Sequence, residues 1–108
     1  MVYPLTPPLT EMLMLSIVNR GDSYGYQISQ RLKPVSCMKD SALYPILKRL
    51  SENGYIKAYD KIFQGRNRKY YQMTDTGRDY FKMLSDEWSL YVAQVQNIME
   101  GEGELEHE

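Results

Sequence analysis

The chain has 108 residues, 43% of them hydrophobic and 25% charged, and its formal net charge is −1. This length suits one domain, and the composition is ordinary for a globular protein. No apolar run approaches the roughly 18 residues of a membrane span, and the start MVYPLTPPLT lacks the features of a signal peptide. The single cysteine, Cys37, excludes an internal disulfide and a Cys-rich metal site, so a cytoplasmic protein is expected.

The small net charge hides a strong division along the chain. Residues 20–69 contain eleven Lys or Arg and four Asp or Glu, a balance of +7. Residues 70–108 contain two Lys or Arg and nine Asp or Glu, a balance of −7. Charge alone is equally consistent with a solvated surface, but a basic half of this size favours contact with phosphate groups.

The first half of the chain predicts a lead-in and two helices. Residues 1–8 contain Pro4, Pro7 and Pro8, which oppose a helix there. Residues 9–19 form a predicted helix that is buried on most sides, with its wettest flank at Thr10, Glu11 and Ser16. Gly21 should end this helix, and Asp22 or Ser23 should provide the N-cap of a second helix over residues 24–32.

Residues 40–53 predict the helix around which the chain is organised. Leu43, Ile46, Leu47 and Leu50 recur at the spacing of one buried helical stripe. Asp40 or Ser41 is the predicted N-cap, and Gly54 should end the helix. The opposite face combines hydrogen-bonding groups with positive charge at Ser41, Tyr44, Lys48 and Arg49. Such a helix is typical of one that reads nucleic acid.

A β-hairpin is predicted next, with strands over residues 55–63 and 68–74 around the turn residues 64–67. Its tip is basic, because Arg66, Arg68 and Lys69 lie close together in the sequence. Neighbouring strand residues point to opposite sides, so Tyr70 and Tyr71 differ in environment, and Tyr71 is the predicted core residue. Thr74 is the predicted N-cap of the last helix.

The last helix carries apolar residues in alternating steps of three and four, which is the heptad pattern of a helix that pairs with another helix. This apolar seam comprises Phe81, Leu84, Trp88, Tyr91, Val95 and Ile98. Packing within its own domain is the alternative, but one small domain cannot cover so long a helix. We therefore predict a dimerisation helix over residues 75–99, followed by a disordered acidic tail over residues 100–108.

The sequence contains no recognisable catalytic or metal-binding motif. The only histidine, His107, lies in the acidic tail, and neither a nucleophile–base set nor a metal-ligand spacing can be assembled. The glycines are scattered singly, so there is no glycine-rich phosphate loop. We expect a non-enzyme without a metal or other cofactor.

The order of these elements is that of a mainly α fold with a small antiparallel β-hairpin, a winged helix–turn–helix over residues 9–74 extended by a long C-terminal helix. Residues 43–56, LYPILKRLSENGYI, and residues 65–77, GRNRKYYQMTDTG, together resemble the signature of PadR-type transcriptional regulators. The segment 24–28, YGYQI, is similar to the family's second helix. A single C-terminal helix resembles the small PadR subfamily, whose members are homodimers.

The resemblance implies that the third helix enters the major groove of double-stranded DNA and that the hairpin lies along the backbone or minor groove. By position, the DNA-binding residues would be Lys39, Ser41, Tyr44, Lys48, Arg66, Arg68 and Lys69. Arg49 is a weaker candidate, since it could equally bridge to an acidic group of the domain. A homodimer would bind a palindromic operator. The alternative is a winged-helix module that uses the same basic face to bind an acidic protein.

PadR-like regulators commonly repress transcription and are released by small molecules. Trp88 lies in the middle of the apolar seam, where a small planar hydrophobic ligand could bind between subunits. The residues that would line this site are Leu9, Met12, Leu13, Leu84 and Trp88. A simple anchor of the dimer interface is the alternative role for Trp88.

Overall fold

Residues 3–101 are described by a computed structural model, in which four helices and a small sheet alternate along the chain. The elements are α1 (Pro7–Arg20), β1 (Ser23–Tyr24), α2 (Gly25–Leu32), α3 (Asp40–Glu52), β2 (Ile56–Phe63), β3 (Arg66–Met73) and α4 (Asp75–Glu100). The sheet is antiparallel with the strand order β1-β3-β2. This is the predicted winged helix–turn–helix with a long C-terminal helix.

Helix α1 begins two residues earlier than the prediction. The hydroxyl oxygen of Thr6 accepts a hydrogen bond from the Leu9 N–H at 3.4 Å and so caps the helix. Pro7 and Pro8 occupy its first two positions, where a backbone N–H has no partner within the helix and its loss costs nothing. Gly21 is the C-cap, as predicted.

The predicted wet flank of α1 is wrong at two of its three positions. Thr10 and Glu11 are buried. The Thr10 hydroxyl donates to the Thr6 carbonyl at 2.9 Å. The Glu11 carboxylate accepts hydrogen bonds from side chains of α3 and α4, so its charge is compensated inside the protein.

Ser23 and Tyr24 form a strand that the sequence prediction missed, and neither Asp22 nor Ser23 caps α2. Ser23 lies opposite Tyr71 and Tyr24 opposite Tyr70 in the sheet. Tyr24 is the N-cap residue of α2, where its backbone N–H donates to the Gln27 side chain at 3.2 Å. Pairing with a strand more than forty positions away leaves no local periodicity from which β1 could be predicted.

The core lies where α1, α2 and α3 meet the base of the sheet. In α3 the predicted stripe is confirmed at Leu43, Leu47 and Leu50, which are buried, while Ile46 is half-buried. The N-cap of α3 is Lys39 rather than Asp40 or Ser41, so Asp40 stands in the first turn, where its negative charge faces the positive helix end. Gly54 follows the helix with a φ of 78°, as a helix stop requires.

The turn of the hairpin is tighter than predicted. Its turn consists of Gln64 and Gly65, which both have positive φ, 52° and 77°, as a two-residue turn between twisted strands requires. The predicted four-residue turn is therefore wrong, and β3 begins at Arg66, which lies opposite Phe63. We call β2, this turn and β3 the wing.

Helix α4 has 26 residues and is about 39 Å long. The Thr74 hydroxyl accepts a hydrogen bond from the Gly77 N–H at 2.9 Å, which confirms the predicted N-cap. The helix includes Glu100 and ends at the left-handed C-cap Gly101, one residue beyond the predicted start of the tail. Residues 102–108, with His107, lie outside the described residues, as does the prediction of disorder made for them.

Candidate nucleic-acid interface

One side of α3 faces outward along its whole length. Ser41, Tyr44 and Lys48 are all exposed and recur at helical spacing, so they form one surface, which we call the reading face. Lys39 is exposed just before the helix begins. The predicted recognition residues of α3 are thus all available to a partner.

Tyr44 is only partly free, because its hydroxyl end lies against the backbone of α2. A Cβ atom built on Gly25 would stand 2.4 Å from the Tyr44 hydroxyl oxygen, closer than any real contact. Glycine at position 25 therefore permits the close approach of α2 to α3. The Tyr44 side chain remains 46% exposed, so one flank of the ring is packed while the other is open.

The reading face and the wing open into a shared cleft. This cleft has a volume of about 540 Å³ and is lined by Tyr24, Gly25, Tyr26, Tyr44, Arg66, Asn67, Arg68 and Lys69. The structure thus brings Tyr44 together with all three predicted wing cations. Lys39, Ser41 and Lys48 do not line the cleft and extend the basic surface along α3 instead.

Strand alternation divides the wing cations between two sides of the sheet. Arg66 and Arg68 share one side, and Lys69 lies on the other. In β2, Lys61 lies opposite Arg68 and therefore on the same side. We call this side, which is turned away from the core, the outer face of the sheet.

Aromatic rings hold Arg68 in place on the outer face. Its guanidinium carbon lies 4.4 Å from the centre of the Tyr24 ring and 5.4 Å from that of Phe63. Cation–π attraction favours this arrangement. Arg68 is half-buried, whereas Arg66 and Lys69 are exposed, so the three cations differ in how firmly they are positioned.

The same aromatic cluster continues across the sheet and explains why Tyr70 is buried as well as Tyr71. The Tyr70 ring meets Tyr24 edge-on at 5.3 Å and stacks on Tyr59 at 5.8 Å. The Lys61 ammonium lies 5.5 Å above the Tyr70 ring. The Tyr59 hydroxyl donates to Asp22 at 2.7 Å, and this hydrogen bond raises the pKa of Tyr59.

The sequence prediction missed Tyr24, Tyr26, Lys61 and Phe63 as part of this surface. The only local signal was the Tyr-Gly-Tyr segment at residues 24–26. The contribution of β2 follows from the register of the hairpin, which requires the two-residue turn to be known.

Arg49 is engaged by a residue of its own domain. Its guanidinium donates two hydrogen bonds to one Glu11 carboxylate oxygen, from Nε at 3.2 Å and from Nη2 at 2.9 Å. Of the two roles that the sequence left open for Arg49, the structure shows the bridge to an acidic group.

The apolar seam of α4 divides into two parts. Phe81 and Leu84 are half-buried against the core of their own domain. Beyond them the seam is exposed, with exposed fractions of 41% at Trp88, 61% at Tyr91, 36% at Val95 and 68% at Ile98. The seam is therefore an internal contact at its start and an uncovered apolar surface afterwards.

A second cleft, of about 520 Å³, lies between the start of α1 and the middle of α4. Its lining is Tyr3, Pro4, Thr6, Pro8, Leu9, Met12, Leu84, Glu87, Trp88 and Tyr91. Four of the five predicted effector-site residues are here. Leu13 is not among the lining residues, because it is turned by about 100° from Met12 on α1 and lines a different cleft with Ser16 and Ile17.

Over residues 3–101 there is no group of three or more His, Cys, Asp or Glu side chains that could hold a metal ion. Within the same residues, no helix is long and apolar enough to cross a membrane.

The chain is similar in sequence and in structure to known transcriptional regulators. Residues 14–83 match the transcriptional regulator PadR-like family. The structure resembles smu.1704 from Streptococcus mutans UA159, at 48% identity and a TM-score of 0.90, over 94% of this chain and 95% of that one. It also resembles a PadR family transcription regulator from Clostridium difficile R20291, at 31% identity and a TM-score of 0.74, over 83% and 96% of the two chains.

A third similar structure is the PadR-like transcriptional regulator BC4206 from Bacillus cereus, at 28% identity and a TM-score of 0.78, with 85% of this chain and 92% of that chain covered. The family consists of transcriptional regulators that bind DNA and not of enzymes. The reading face on α3 and the basic wing are the features of this chain that suit such a role. The chain belongs to the PadR-like family and is a DNA-binding transcriptional regulator with a winged helix.

Proposed function

We propose that this regulator acts as a homodimer that represses transcription from a palindromic operator and is released by a small, planar, hydrophobic effector. The observation that carries the proposal is the shared cleft, in which Tyr44 of α3 meets the cations of the wing. A helix and a wing that converge in this way can hold one DNA groove and its flanking phosphates together.

In the proposed complex, α3 lies in the major groove. Ser41, Tyr44 and Lys48 face the base edges, while Lys39 contacts the backbone near the start of the helix. The wing contributes Arg66 and Arg68 from one side and Lys69 from the other. The reading face offers few groups for base contact, so specificity per subunit is small and two half-sites are required.

The proposed dimer forms through the exposed part of the apolar seam, from Trp88 to Ile98. In water, apolar side chains of this size gain roughly 25 cal/mol per Å² of buried surface, and a second copy supplies a matching surface. Two heads joined in this way present their α3 helices to half-sites about one helical turn apart.

The proposed effector binds in the cleft beside Trp88, with Leu9, Met12 and Leu84 as its apolar walls. Trp88 and Tyr91 offer aromatic faces whose centres lie 6.2 Å apart. Glu87 lines the same cleft, so a planar ligand with a positive charge should be favoured over a neutral one.

Selection from a random pool of duplexes followed by titration across salt concentrations tests DNA binding. We expect the Arg66→Ala change to weaken binding to all duplexes alike and to reduce the slope of log K against log salt by about 1, because one phosphate contact is lost. The Lys48→Ala change should instead reduce the preference for the selected sequence by about 1–3 kcal/mol.

Lys82→Ala is the matched control for charge, because Lys82 is on α4 and paired with Asp86. It should leave both the slope and the preference unchanged. Binding that does not respond to salt would contradict the proposed phosphate contacts.

Calorimetry with N-methylquinolinium and with neutral 1-methylnaphthalene tests the effector site. We expect the cation to bind more tightly than its neutral counterpart and to displace the protein from the selected duplex. Trp88→Ala should abolish binding of both compounds. Glu87→Gln should lower the affinity for the cation only, whereas Glu100→Gln, a control at the far end of α4, should lower neither. Equal affinity for both compounds in the unchanged protein would contradict the role of Glu87.

A further inference from the structure

One buried carboxylate ties three helices together. Glu11 on α1 accepts the two hydrogen bonds from Arg49 of α3 at one carboxylate oxygen. Its other oxygen accepts a hydrogen bond of 2.6 Å from the Tyr80 hydroxyl of α4. Both oxygens are thus engaged, each by a different helix, and we call these three residues the Glu11 node.

The partners in the node lie far apart in sequence and close to functional surfaces. Arg49 directly follows Lys48 of the reading face, and Tyr80 precedes the apolar seam. Glu11 itself precedes Met12, which lines the cleft beside Trp88. The node is therefore the place where the reading helix, the first helix and the C-terminal helix are joined by directional bonds.

The node also reaches the wing. The Tyr80 ring stacks on that of Tyr55, with centres 4.1 Å apart and planes 7° from parallel. Tyr55 immediately precedes β2. Burial, followed by the hydrogen bond to Glu11, raises the pKa of Tyr80 to about 12, so its hydroxyl stays a donor throughout the neutral range.

We infer that Glu11 is a positioning residue that fixes the angle between α3 and α4, and with it the half-site spacing that the dimer accepts. The inference rests on the proposed homodimer. If two copies meet along the distal part of α4, the orientation of each head on its own α4 determines how far apart and at what angle the two α3 helices stand.

Directional bonds are suited to this task because apolar packing tolerates rotation. The side chains of Leu47 and Leu50 can remain buried while α3 rolls slightly on the core, but the paired hydrogen bonds from Arg49 to Glu11 hold only over a narrow range of angles. Removing them should leave a folded protein whose heads are less strictly oriented.

Two conservative variants test the inference, together with a matched control. Tyr80→Phe keeps the ring on Tyr55 and deletes the hydroxyl that reaches Glu11, and Glu11→Gln keeps the shape and removes the charge. Tyr55→Phe deletes the hydroxyl of the other ring in the same stack and leaves the node complete. Each protein is titrated with the selected duplex and with versions whose half-sites are one base pair closer or farther apart.

One base pair rotates a half-site by about 34–36°, so a rigid dimer should discriminate strongly among these duplexes. We expect Tyr80→Phe and Glu11→Gln to reduce this discrimination at least fivefold, and Tyr55→Phe to retain it. Amide hydrogen exchange of the α3 backbone, measured without DNA, should accelerate in the first two variants and not in the control.

A purely stabilising role would lower the unfolding temperature of the two variants and leave the discrimination ratio unchanged, and this result would overturn the inference. Equal loss of discrimination in Tyr55→Phe would also overturn it. Failure of the unchanged protein to bind any duplex would instead refute the proposed function. The exchange of α3 would then still show whether the node restrains this helix, and unchanged exchange would refute the restraint itself.

Discussion

The two halves of α4 share one heptad pattern of apolar residues and have opposite surroundings. The proximal half is held from its first turn, where the Thr74 hydroxyl caps the helix and also donates to the Gly54 carbonyl at 2.6 Å. It then packs Phe81 and Leu84 against the core. In the distal half, most of the large apolar side chains from Trp88 onward stand exposed. One helix thus begins as part of the DNA-binding head and continues as a largely exposed apolar surface over the rest of the described residues.

This contrast teaches that a heptad pattern states which residues need a partner but not where the partner lies. Leu84 and Ile98 lie two heptads apart and occupy equivalent seam positions, yet the first contacts α4's own domain and the second is 68% exposed. The two positions differ because α1 lies beside only the first part of α4, which is about 39 Å long. The halves should therefore respond differently to the same kind of mutation.

The largest expected effect comes from charging the distal half. Val95→Asp combined with Ile98→Asp should raise the dissociation constant of the proposed dimer at least 1,000-fold, about 4 kcal/mol, since two carboxylates from each subunit would have to be buried at the interface. Sedimentation velocity measures this change. Lys82→Asp, an equally acidic change on the exposed side of the proximal half, should leave the dimer intact. A double variant that remains dimeric would show that the distal half is not the interface.

The proximal half should be especially sensitive to substitution of Gly77. A Cβ atom at this position would stand 1.9 Å from the Tyr55 carbonyl oxygen, so α4 would have to move away from the start of β2. We expect Gly77→Ala to lower the free energy of unfolding by about 3 kcal/mol, despite the better helix propensity of alanine. Urea unfolding measures the loss. Ser89→Ala, in the exposed distal half, should change stability by less than about 0.5 kcal/mol.

The same substitution, leucine to alanine, should have different effects on stability in the two halves of α4. Leu84→Ala should cost about 2 kcal/mol of stability, because Leu84 packs against the core, whereas Leu90→Ala should cost less than about 0.5 kcal/mol, because Leu90 is exposed. Both values come from chemical unfolding at a protein concentration that keeps the oligomeric state fixed. Equal losses at the two positions would remove the distinction between the halves.

The smallest expected effect concerns pH and the Tyr80 tether of the proximal half. The pKa of Tyr80 is raised from 10.0 to about 12, first by burial and then by the hydrogen bond to Glu11. The folded state therefore holds this proton more tightly than the unfolded state, so the stabilisation is complete below about pH 10 and is lost as the pH rises toward 12. Stability should fall less steeply over this range in Tyr80→Phe, while Tyr91→Phe should follow the unchanged protein.

Much of the fold was predictable because its signals are local. The stripe of Leu43, Leu47 and Leu50 has the helical period, Gly54 ends α3, and Thr74 begins α4. Each of these features is encoded within a few residues of where it acts. The exposed face of α3 follows from the same periodicity, because residues opposite a buried stripe must face outward.

The features that could not be predicted depend on contacts between distant parts of the chain. From the sequence alone, Glu11 is expected at the surface. Its burial depends on Arg49 and Tyr80, which lie 38 and 69 positions away in the chain. Strand β1 exists only because β3 lies beside it. Leu13 and Met12 line different clefts because one step along a helix turns a side chain by about 100°, and the sequence could not separate them because both sides of α1 are apolar.

The position of Trp88 gives the protein an optical property. It is the only tryptophan in the chain, and it stands 41% exposed on the apolar seam beside the cleft that Glu87 also lines. An indole that leaves water for an apolar contact emits at shorter wavelength, and an aromatic ligand stacked on it quenches the emission. Assembly of two copies and capture of a small molecule should thus produce two separable changes in fluorescence, without any label attached.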